Sequence, residues 1–221
     1  AMKLQDSHND ATYRTAMGQL LVLYTQVDRL IMEACAERIA TAPDESAKLA
    51  LAKQVGDESR HVAIQNQWMQ SFATDRTPVI SAAQEAAILA HFRQLDWMDF
   101  LTDMYLCVEA LGSDAVEKVV PLADPGTRES LRVPLQDELD HIAFGVNRLR
   151  HELARLQPAA RKAYLDSVPR RIDALNHMLQ DMGLEARALF EAVGTSYDTL
   201  CESLLKRKSE LLQEVAEPLA A

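Results

Sequence analysis

Glu58 and His61 are three residues apart in G-D-E-S-R-H-V, and Glu138 and His141 are three apart in Q-D-E-L-D-H-I-A-F-G. Residues at this spacing lie side by side on one face of a helix. A carboxylate and an imidazole so placed can hold one side of a metal ion. One E-x-x-H pair is a weak signal, because surface Glu and His meet at that spacing by chance. Two pairs, each inside an apolar helical stripe, are a stronger one. A buried ionised carboxylate needs a cation, a proton or a metal.

Two further carboxylates fit the same pattern. Glu109 lies among Leu106, Val108 and Leu111, in line with Tyr105 and Gly112. Asp28 falls in the apolar stripe of the first helix, with Met17, Leu20, Leu21, Tyr24, Val27, Ile31 and Cys35. Gln19, Gln26, Glu33 and Glu37 make the opposite, polar stripe. At about 100° per residue, Glu33 is rotated from Asp28 by roughly 140° and Glu37 by about 180°. Asp28 lies 15 residues before Pro43 and Glu58 lies 15 after it, so a hairpin at Pro43 brings them to similar height. Asp28 is therefore the preferred carboxylate of this helix and Glu33 the runner-up.

The expected ligand set is Asp28, Glu58, His61, Glu109, Glu138 and His141. Four carboxylates and two imidazoles suit two iron ions, with manganese possible, and not a structural zinc, whose sites are richer in Cys and His. Glu58 and Glu138 would bridge, with Asp28 and His61 terminal on one side and Glu109 and His141 on the other. Asp57, Asp137 and Asp140 adjoin ligands and are either orienting partners of the histidines or solvated acids. Ser113, four residues after Glu109, could deliver a proton. Tyr24 and Tyr105 each precede a ligand carboxylate by one turn and are either site residues or core tyrosines. His8, His91, His151 and His177 have no partner at ligand spacing.

The elements that must carry these residues are helices. Only 7 Gly and 8 Pro interrupt 221 residues. The pattern predicts helices over Tyr13–Ala42, from Pro43-Asp44 to Thr74–Pro78, over Leu95–Val120, and from Arg128 or Pro134 to Leu156. A crossover covers Ser81–Gln94. Asp96, Asp99, Asp103 and Asp114 are expected on a solvated face of the third long helix. Two more helices, Ala159–Asp181 and Leu184–Leu212, pack on the bundle and close one side of a pocket. The reading is one all-α domain over residues 1–221, with its bundle about 13–156.

The net charge of −10 argues against a nucleic-acid partner. Cys35, Cys107 and Cys201 have no metal spacing and read as free thiols of a cytoplasmic protein. No membrane span or signal peptide is visible, and Ala1-Met2 looks like an expression scar.

At these residues the chain resembles the ferritin-like di-iron oxygenases, most closely the aldehyde-deformylating oxygenases. Glu109, the turn at Val119–Asp124 and E-L-D-H-I-A-F-G occur in that family's order, and D-E-S-R-H resembles its other pair. The resemblance implies a ferritin-like four-helix bundle with additional C-terminal helices. It also implies that Glu58, His61, Glu109, Glu138 and His141 are metal ligands. That family uses Glu on its first helix where Asp28 stands here; an Asp occurs there in the small subunit of ribonucleotide reductase. Phenylacetyl-CoA epoxidase subunits and a tRNA-modifying hydroxylase have similar ligand patterns. The implied function is an O2-dependent di-iron monooxygenase acting on a small, largely apolar substrate, as a monomer or homodimer. Its electrons come from a ferredoxin or reductase, since the chain has no nucleotide motif. The alternatives are a ferritin-type ferroxidase and a metal-free structural bundle.

Overall fold

The computed structural model describes residues 8–181 and 186–219, with backbone alone at Leu179, Asp181 and Ala186. Ala1, Met2 and Leu184 lie outside the described residues. The described residues contain helices and connections but no strand. In chain order the helices are α1 (Ala11–Ile39), α2 (Glu45–Phe72), α3 (Ala82–Gln94) and α4 (Trp97–Leu101). A π-helical segment (Thr102–Glu109) leads into α5 (Ala110–Val119), and a single 3₁₀ turn (Val120–Leu122) precedes α6 (Pro125–Ala154). Next come α7 (Pro158–Asp181), α8 (Ala186–Ala192) and α9 (Tyr197–Ala216).

Side-chain caps set most of the starts. Asp44 accepts from Ala47 N, Asp96 from Asp99 N, Asp124 from Thr127 N and Ser196 from Thr199 N. Ser81 and Gln84 form a reciprocal capping box at α3. α6 begins at Pro125, directly after its Asp124 cap, earlier than either expected start. Proline at a first helical position lacks only a donor that would have no intrahelical partner. α6 then runs through Pro134, as α7 runs through Pro169. Gly194, at φ +96°, lies between α8 and α9 where one helix was expected.

The third long helix is not uniform. Between Thr102 and Glu109 it widens to i→i+5 bonding, closing with Ala110 N–H to Tyr105 O. π-turns of this kind occur frequently at functional sites. Within this segment Asp103 is almost completely buried, not solvated. It accepts from His91 Nε2 at 2.6 Å and from Arg171 Nε at 2.6 Å. Arg171 also pairs with Asp99 at 3.0 Å. α3 and α7 thus clamp the widened turn from behind. Gln26, expected on the polar stripe, is buried as well. Its amide bonds the backbone of Val79 and Ile80 and so pins the crossover to α1.

Two apolar clusters fill the interior. One contains Leu30, Leu51, Phe100, Leu101, Leu106, Leu149 and Leu153; the other contains Met17, Leu20, Leu21, Tyr24, Phe72 and Leu131. Along α1, Asp28 falls between Tyr24 of the second cluster and Leu30 of the first. The carboxylates and histidines form a polar layer between two hydrophobic blocks.

Candidate metal centre

α1 contributes Asp28, α2 contributes Glu58 and His61, the π segment ends on Glu109, and α6 contributes Glu138 and His141. Asp28, Glu58, His61, Glu109 and His141 are all buried. They form two triads, Asp28–Glu58–His61 and Glu58–Glu109–His141, and within each triad the candidate ligand atoms lie within 4.8 Å of one another. Glu58 belongs to both. Glu138 lies outside these triads. Its carboxyl faces Ser113 and is electrostatically coupled to Glu58 and both histidines. Glu33 is exposed, and Glu37 pairs at the surface with Arg93 at 2.6 Å.

Both imidazoles turn Nδ1 inward. His61 Nδ1 is 3.1 Å from Glu58 Oε2; His141 Nδ1 is 3.4 Å from Glu58 Oε1 and 3.4 Å from Glu109 Oε1. Their outer nitrogens cross between helices. His61 Nε2 donates to Asp137 of α6 at 2.9 Å, and His141 Nε2 donates to Asp57 of α2 at 3.0 Å. Each aspartate is anchored on its outer side: Asp137 to Arg60, and Asp57 to Lys53 at 2.8 Å. Asp140 remains exposed.

The electrostatics of the metal-free centre are unfavourable to its own charges. Burial first, then repulsion by Glu58, pushes the Asp28 and Glu109 carboxyls well above the carboxylate range. Burial raises Glu138 to about 7, against the lowering effect of its Ser113 hydrogen bond. Burial opposes the His61 cation, but Glu58 and Asp137 outweigh it, and its pKa rises to about 9. Burial would raise both Asp57 and Asp137, but hydrogen bonds from Lys53 and His141 to Asp57, and from His61 and Arg60 to Asp137, outweigh it and lower both.

A pair of cations fits this arrangement. Glu58 Oε1, Glu138 Oε2 and His141 Nδ1 are buried without a hydrogen-bond partner, which is costly unless another group engages them. Oxygen-rich ligation with one nitrogen on each side suits iron or manganese.

Asp28, Glu109, Glu138 and Ser113 also line one face of a cavity of about 710 Å³. Its walls are mostly apolar, including Leu23, Val27, Ile31, Met104 and Val116, and Gly112 leaves open space on its border. α7, α8 and α9 close its far side with Asn176, Phe190, Cys201 and Leu204. The Tyr24 hydroxyl is buried without a partner and Tyr24 lines this cavity. Tyr105 does not line it. Its hydroxyl donates to Gln54 Oε1 at 2.7 Å, and its ring sits against Gly145, where a Cβ would stand 2.0 Å from Tyr105 Cγ. Ser113, the expected proton donor, therefore faces the cavity, whereas Tyr105, expected as a site residue or a core tyrosine, is linked to Glu109 through Gln54. Sequence reading passed over Gln54 and Gln65, both buried against the candidate ligands; their place in the α2 ligand stripe, one turn outside Glu58 and His61, was the available signal.

Neither protein-family models nor curated protein sequences match this chain. Solved structures do. A protein from Synechococcus with aldehyde deformylating oxidase activity superposes with a TM-score of 0.72 over 94% of this chain and 93% of its own, at 17% identity. A variant of an R2-like ligand-binding oxidase with an aerobically reconstituted Mn/Fe cofactor gives a TM-score of 0.68 over 96% of this chain and 85% of its own, at 13% identity. The chain therefore has the ferritin-like helical-bundle fold, with extra C-terminal helices packed against the bundle.

Proposed function

We propose that the protein is an oxidoreductase of the O2-dependent di-metal type that oxidises a small, largely apolar molecule held in the 710 Å³ cavity. The observation that carries this reading is that two buried carboxylate–histidine triads share Glu58 beside the apolar cavity, whose wall includes Asp28, Glu109 and Glu138. Asp28, Glu58, His61, Glu109, Glu138 and His141 would hold two iron ions, or one manganese and one iron. The ions, when bound, supply the electrons and Lewis acidity for O2 reduction. The bundle acts as one domain around them, with α7–α9 as the cavity wall.

The chain's own residues do the positioning. Asp57 and Asp137 hold each imidazole with its Nδ1 inward, which fixes the tautomer that can bind a cation. The apolar walls keep water from the reacting centre. Ser113 Oγ holds a proton at Glu138, next to the cavity. The unpartnered Tyr24 hydroxyl offers a donor to a polar atom of the occupant. A ferredoxin or reductase would supply further electrons, and hydroxylation or aldehyde deformylation are the outcomes that suit this arrangement.

Metal analysis combined with O2 uptake tests the reading. Protein loaded anaerobically with Fe(II) should carry two ions per chain and consume O2 when reduced. Protein that binds neither iron nor manganese at saturation refutes it.

A further inference from the structure

We propose that Gln54 and Gln65 are positioning residues for the two outer carboxylates, and that Tyr105 and Thr25 fix the direction of their amides. The proposal rests on the di-metal reading above. α2 supplies both glutamines, Gln54 one turn before Glu58 and Gln65 one turn after His61. Both are essentially inaccessible to solvent. Gln54 Nε2 donates to Glu109 Oε1 on one side of the centre. Gln65 Nε2 donates to Asp28 Oδ2 at 2.8 Å on the other. These are the two carboxylates that enter only one triad each. The same device is therefore built twice, on opposite flanks of Glu58.

A primary amide presents donors at one end and an acceptor at the other. Only the NH2 end supports an anionic carboxylate; the carbonyl end would repel it. Each amide is oriented by a hydroxyl behind it. Tyr105 OH donates to Gln54 Oε1 at 2.7 Å, and Thr25 Oγ1 donates to Gln65 Oε1 at 2.7 Å. Tyr105 is itself seated by the missing Cβ of Gly145. Thr25 Oγ1 lies 2.7 Å from Leu21 O as well, so its single proton is shared between that carbonyl and Gln65 Oε1. Each chain of hydroxyl, amide and carboxylate restricts rotation of one outer carboxylate without adding charge to a centre already rich in carboxylates. Groups that orient metal ligands in this way typically change metal affinity by about 10–100-fold when removed.

Cobalt(II) titration of the full-length protein, followed by visible absorption, tests this. The wild type should bind two ions with resolvable affinities. Gln65→Leu should weaken one site by about 10–100-fold and change the Co(II) spectrum; Gln54→Leu should do so at the other. Thr25→Val and Tyr105→Phe remove only the orienting hydroxyl, and should shift the spectrum in the same direction with smaller losses. If the leucine variants do not fold, these two decide. Folded variants with wild-type thermal stability, unchanged spectra and affinities within about twofold would overturn the positioning role alone. A wild type that binds no Co(II), Fe(II) or Mn(II) would overturn this proposal and the proposed function together.

Discussion

His61 of α2 donates its outer nitrogen to Asp137 of α6 at 2.9 Å, and the same exchange runs in reverse from His141 to Asp57 at 3.0 Å. In each case the aspartate directly precedes the glutamate of the opposite E-x-x-H pair. The two sequence motifs are thus interlocked: each helix supplies a candidate ligand pair and the brace for the other helix's histidine. Asp57→Asn and Asp137→Asn should each lower affinity for one metal by about 10–100-fold while leaving the helical content intact. Isothermal titration with Mn(II) measures this, and full wild-type affinity in both variants would remove the bracing role.

Asp28 and Glu33 differ in burial, and so should differ in effect. Asp28→Ala should abolish or strongly impair loading of the second ion. Glu33→Ala, on an exposed position, should leave the stoichiometry at two. Iron and manganese content of the purified variants decides it. Loss of the centre in Glu33→Ala alone would reverse the assignment.

The metal-free protein should lose stability as pH rises. Folded-state pKa values of Asp28, Glu109 and Glu138 lie above their ordinary values, so protonation of these acids favours the folded state. Stability from Glu138 is fully present below about 4.5 and is lost as pH rises through about 7. His61 acts in the same direction, its contribution present below about 6.5 and lost through about 9. The metal-free Tm should therefore fall by several degrees between pH 5 and 9, and the gain on metal binding should grow over the same range. Differential scanning fluorimetry with and without Mn(II) checks both signs. A metal-free Tm that climbs across that range would contradict the burial of these acids.

Gly112 and Gly145 separate cavity from packing. Gly145→Ala drives a Cβ into the Tyr105 ring and should destabilise by about 1–3 kcal/mol. Nothing stands within 4 Å of a Cβ at Gly112. Gly112→Leu should therefore keep the Tm within a few degrees while filling the cavity and reducing turnover of the larger apolar substrates first. Chemical denaturation of the first variant and a chain-length series on the second measure these effects.

Much of the candidate centre was legible in the sequence, because helical periodicity fixes which side chains share a face. The two E-x-x-H pairs, the buried Glu109 and the preference for Asp28 over Glu33 all follow from the roughly 100° step and the need of a buried acid for a partner. The long helices followed from the same periodicity. Single-helix geometry says nothing, however, about which atoms of a neighbouring helix a side chain will meet. Asp103 looked solvated because its own helix shows it pointing away from the bundle; only α3 and α7, folded back behind it, bury it between His91 and Arg171. Gln26 was expected on the polar stripe and Gln54 and Gln65 were passed over; in the fold their amides meet backbone of the crossover or carboxylates of other elements. The widening at Thr102–Glu109 breaks the 3.6-residue period that a sequence reading must assume. The sequence alone determined the candidate ligands, their faces and the helical class. Tertiary packing decided what holds those ligands, how the cavity is closed and which acids are buried, because each of those depends on contacts between helices far apart in the chain.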